Sequence, residues 1–67
     1  MFCTVQTWNR ITIAKEPSLN AALGIAHENT RRTGELTHVT EPDGGRWEVF
    51  LHDGQVMQRN LGMDDNT

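Results

Sequence analysis

Between Arg46 and Gln58 the chain reads as two strands around a tight turn, with apolar side chains on both faces. Asp53-Gly54, set between two alternating runs, is a strong hairpin signal. It pairs His52 with Gln55, Leu51 with Val56, Phe50 with Met57, Val49 with Gln58 and Glu48 with Arg59. Trp47, Val49, Leu51 and Val56 then share one face, and Phe50 and Met57 share the other. Glu48 and Arg59 form an expected ion pair beside Phe50, and His52 and Gln55 finish the row at the turn. One face must cover a core, so the other needs a different use.

The stretch "SLNAALGIAHENTRRTG" predicts a helix. Leu19, Ala22, Leu23 and Ala26 follow the i, i+3, i+4, i+7 spacing of a buried stripe. Ser18 is placed to cap its first turn, because its hydroxyl can accept from a free amide there. Arg31 and Arg32 suit the negative end of the helix dipole, and Gly34 suits a left-handed stop. Gly24 is read as a point where a strand approaches closely.

The N-terminal "FCTVQTWNRITIA" is rich in Thr, Val, Ile and aromatics, which favours strand. Asn9-Arg10 is read as a two-residue turn that sets Trp8 opposite Ile11 and Gln6 opposite Ile13. Phe2, Trp8, Ile11 and Ile13 would then share a core face. One long strand bulged near Asn9 is the alternative. After the helix, "ELTHVTE" predicts a strand that turns at Pro42 to Gly45. A four-residue loop there puts Val39 and Glu41 on the Phe50 face; a three-residue loop puts Leu36 there. The predicted order is β-β-α-β-β-β, an α+β fold with one helix packed across a small antiparallel sheet. Residues 1–62 form the single domain, and 63–67 form an acidic tail.

Size and charge narrow the function. A chain of 67 residues buries only about 60% of its unfolded surface, and such small domains often lean on disulfides, metals or association. Cys3 is the only cysteine, so no internal disulfide is possible. A lone cysteine, without a basic leader or a long apolar run, leads us to expect a cytoplasmic, reducing setting and no membrane span. Six Lys and Arg against nine Asp and Glu give a net charge of −3. That balance argues against general nucleic-acid binding, which shows a basic patch. Arg31, Arg32, Arg10, Arg46 and Arg59 keep a nucleic-acid-binding regulator as a third alternative.

Catalytic chemistry is not indicated. Cys3, His27, His38 and His52 lack the paired short spacing of a zinc site, so no metal or cofactor is expected. Cys3 has no Lys or Arg nearby in sequence to activate a thiolate. "PDGGR" opens a strand, whereas a phosphate loop opens a helix. Glu35, Glu41, Asp43, Glu48 and Asp53, followed by Asp64 and Asp65, give an acidic rim that a phosphate-gripping partner would engage. An apolar centre ringed by charge fits a protein interface. The candidate partner-binding residues are Phe50, Met57, Glu48, His52, Arg59 and Val39.

The helix "SLNAALGIAHENTRRTG" followed by the compact hairpin "GGRWEVFLHDGQVMQ" resembles small phage-encoded anti-CRISPR proteins, some of which wrap a short antiparallel sheet around one helix. The resemblance is architectural and covers roughly residues 10 to 60. It implies a stoichiometric inhibitor that docks on a bacterial CRISPR effector complex and blocks target-DNA binding or a conformational step. A small homodimerising regulatory module that uses the same sheet face is the alternative.

Overall fold

The structure, a computed structural model, describes residues 1–63. The elements are β1 (Cys3–Thr7), β2 (Thr12–Glu16), α1 (Leu19–Thr33), β3 (Thr37–Thr40), β4 (Gly45–His52) and β5 (Gln55–Met63). They form an α+β fold in which the helix packs against a five-stranded antiparallel sheet of order β2-β1-β3-β4-β5. β1 pairs with both β2 and β3, so the N-terminal hairpin joins the sheet and does not fold over it. β5 runs through Met63, which pairs with Gly45. The rest of the expected tail lies outside the described residues.

The helix forms where its signals place it. Ser18 Oγ accepts from Ala21 N at 3.1 Å, and Gly34 ends the helix at φ 76° with its N–H on the Thr30 carbonyl. Ala22, Leu23 and Ala26 are buried and Leu19 is half-buried, as their spacing predicts. Beneath them lie Cys3 and Val5 of β1, Val39 of β3 and Val49 of β4. Each large aliphatic side chain buried here contributes roughly 1.5–3 kcal/mol. The small residues on the helix set the thickness of this core. A β-carbon at Gly24 would meet no neighbour within 4 Å, so no strand approaches it.

Two faces of the sheet differ from expectation. In β1 the inward residues are Cys3 and Val5, while Phe2, Trp8, Ile11 and Ile13 are exposed. The cause is the turn. Arg10 N donates to Thr7 O and Thr7 N to Ile11 O, both at 2.9 Å, so the loop is three residues, with Arg10 at φ 68°. Gln6 therefore meets Thr12, and a bulge leaves Ile13 between paired positions. A one-residue change of register moves side chains to the opposite face. Leu51, expected in the core, is 43% exposed near the turn, while Trp47 and Val56 pack partly against the helix side.

A polar cluster closes one end of the core. Asn29 Nδ2 donates to Thr37 Oγ1 at 3.0 Å, and the Thr30 and Thr37 hydroxyls are 2.8 Å apart. Thr30 Oγ1 also reaches the carbonyls of Glu35 at 2.9 Å and Val49 at 3.2 Å. Helix, following loop and two strands are thus tied at one point.

Candidate protein-docking face

The side of the sheet away from α1 is built from alternate residues of successive strands. Gln6 pairs with His38, His38 with Glu48, and Glu48 with Arg59, which makes one polar row across four strands. Phe50 and Met57 pair in the next row, as the Asp53-Gly54 turn predicts. The registers, continued one position beyond β3 and β1, set Leu36 beside Phe50 and bring Trp8, the first residue of the turn after β1, beside Leu36. Trp8 is 55% exposed, Met57 42% exposed, and Phe50 and Leu36 are half-buried. Among the described residues no element packs over this face, and the apolar residues Trp8, Leu36, Phe50 and Met57 lie along one end of it.

Arg59 links the two rows. Its guanidinium donates to Glu48 Oε1 at 2.6 Å and lies 5.3 Å from the centre of the Phe50 ring. That distance falls within the range of a cation–π contact. The half-exposed setting makes the ion pair a modest contributor to stability. Its geometric effect is to tie the polar row to the apolar one, because a single guanidinium touches both Glu48 and the Phe50 ring. His52 lies at the turn, 3.5 Å from Asp53.

Val39 does not belong to this face. It is fully buried against the helix and pairs with Trp47. Glu41 N donates to Gly45 O at 2.7 Å, so the β3–β4 loop has three residues and Leu36 takes the place foreseen for Val39. Glu41 also turns to the helix side, where its Oε2 accepts from Trp47 Nε1 at 2.9 Å. Asp43 accepts from Gly45 N at 3.0 Å. Of the expected acidic rim, Glu41, Asp43 and Glu48 are therefore engaged within the protein. Trp8 escapes sequence reasoning because a two-residue turn assigns it to the core; the positive-φ loop at Arg10 is the signal that relocates it.

The side chains with potential chemistry are dispersed. Cys3 is buried under the helix, and burial pushes its thiol up, with Glu41 and Asp43 adding to the effect. His27 Nε2 is hydrogen-bonded to Gln58 Oε1 at 2.8 Å on the helix side, whereas His38 stands on the open face. Among the described residues no three His, Cys, Asp or Glu side chains are grouped to hold a metal ion. Arg31 is paired with Glu28 at the helix end. No helix of the described residues is long and apolar enough to cross a membrane. Comparison with protein-family models, curated proteins and solved structures returned no match.

Proposed function

We propose that the protein is a non-enzymatic inhibitor that docks through its open sheet face on a bacterial CRISPR effector complex. Docking blocks target-DNA binding or a conformational step, in the bacterial cytoplasm where such a complex works. The observation that carries the docking surface is the row Trp8, Leu36, Phe50 and Met57, which the described elements leave uncovered, bordered by Glu48, His52 and Arg59. Aromatic anchors within a polar border are the usual centre of a protein interface. The choice of partner rests on the architectural resemblance of the helix and C-terminal hairpin to anti-CRISPR proteins.

The test is co-purification with assembled CRISPR effector complexes, combined with their target-DNA binding measured with and without the protein. The wild-type chain is expected to be retained and to lower DNA binding at equimolar ratio. Phe50→Ser with Met57→Ser keeps the circular dichroism of the wild type and loses retention, and Trp8→Ser weakens it. A wild-type chain that neither binds an effector nor changes its DNA affinity overturns the proposal.

A further inference from the structure

The sheet has two outer edges, and they are unlike. β2 is short, carries a bulge and bears Lys15 and Glu16, which are the features that discourage strand addition. β5 extends over nine residues without proline or lysine, and Arg59 is its one charged residue. Its irregularity is confined to the far end, where Leu61 falls between the pairs Trp47–Asn60 and Arg46–Gly62. From Gln55 to Asn60 the edge is regular.

The hydrogen-bonding phase of that edge follows from the turn. Asp53 and Gly54 both have positive φ, as in a two-residue type I′ hairpin, whose closing pair is His52–Gln55. That pair exchanges both backbone hydrogen bonds, and so do the alternate pairs Phe50–Met57 and Glu48–Arg59. The N–H and C=O groups of Val56 and Gln58 therefore point away from β4, to the outer edge.

We propose that β5 pairs antiparallel with β5 of a second copy of this chain, about a two-fold axis through Met57. In that register Val56 of each copy exchanges hydrogen bonds with Gln58 of the other. Met57 meets its own counterpart, and Arg59 lies opposite Gln55, so no like charges face each other. The Gln58 side chain is held back by His27 on the helix side and does not obstruct the edge. The axis runs perpendicular to the sheet, which keeps both helices on one side. The two apolar rows then join end to end through Met57, giving a continuous surface across both sheets. This self-complementarity selects a second copy over an unrelated extended segment. Pairing uses the strand edge alone and stands without the docking reading.

Sedimentation equilibrium of the full chain over a concentration series tests it. The expected limiting mass is twice the 7.6 kDa of one chain. Gln55→Arg sets two cations opposite each other twice by symmetry and raises the dimer dissociation constant roughly tenfold, whereas Gln55→Glu lowers it. Gln58→Pro removes an outward N–H that the monomer does not use, and the dimer is lost while circular dichroism is retained. If that variant misfolds, the opposed effects of the two Gln55 variants decide. A wild-type mass of 7.6 kDa up to about 1 mM overturns the proposal, as does a dimer indifferent to Gln55→Arg. Phe50→Ser leaves the dimer mass unchanged, so failure of docking and failure of pairing are read separately.

Discussion

The hydroxyls of Thr30 and Thr37 lie 2.8 Å apart, and neither side chain reaches solvent. Thr30→Val conserves shape and removes the hydroxyl that joins the helix to Glu35 and Val49. With Thr37 left one partner poorer, the loss is about 1–3 kcal/mol, read as a lower urea midpoint at unchanged slope. An unchanged midpoint would show that the cluster is neutral.

Leu23 is the largest helix side chain in the buried cluster. Leu23→Ala leaves a cavity between α1 and the sheet and costs about 2–5 kcal/mol. A domain of this size has about 3–10 kcal/mol in total. Thermal denaturation is expected to show a population already partly unfolded at 37 °C.

Gly45 admits the Glu41 carboxylate to the Trp47 indole. A β-carbon at position 45 would stand 2.7 Å from Glu41 Oε2, closer than real contacts allow. Gly45→Ala swings this flexible side chain away and breaks the bond to Trp47 Nε1. The expected cost is about 1 kcal/mol, with a changed tryptophan emission spectrum. Glu41→Gln retains an acceptor at the same place and keeps the emission nearer to wild type.

Burial holds the His38 imidazole below its ordinary value of 6.5, and the charge of Arg10 acts in the same direction, with a smaller part from Arg46. Glu48 and the Trp8 backbone oppose the shift without reversing it. Below pH 6.5 the unfolded chain therefore binds a proton that the folded one resists. Stability from this group is complete above 6.5 and is lost as pH falls through the folded value. His38→Gln should remove that part of the acid sensitivity, and an NMR titration of the wild type should place the His38 midpoint under 6.5.

How much of this was legible follows from which signals are local. The helix with its Ser18 and Gly34 ends, and the pairing across Asp53-Gly54, depend on residues adjacent in sequence, and both stand as read. The faces of β1 and β3 depend on loop length. A left-handed Arg10 disguises a three-residue loop, and the choice at Pro42 to Gly45 is open until Glu41 is seen bonded to Gly45. Each error of one residue exchanges inside for outside, which sends Trp8 inward and Val39 outward. The Asn29, Thr30 and Thr37 cluster carries no sequence signal, because polar residues late on a helix ordinarily face water.

The placement of β1 in the interior of the sheet has a kinetic consequence. β1–β2, β3–β4 and β4–β5 each close through a short turn, while β1–β3 brings Thr7 to Thr37 across the whole helix. Chain search during folding is thus concentrated in a single long-range closure, whose entropy must be overcome before Val5 can meet Val39. Truncating either valine is expected to slow refolding, whereas damage to β5 mainly hastens unfolding.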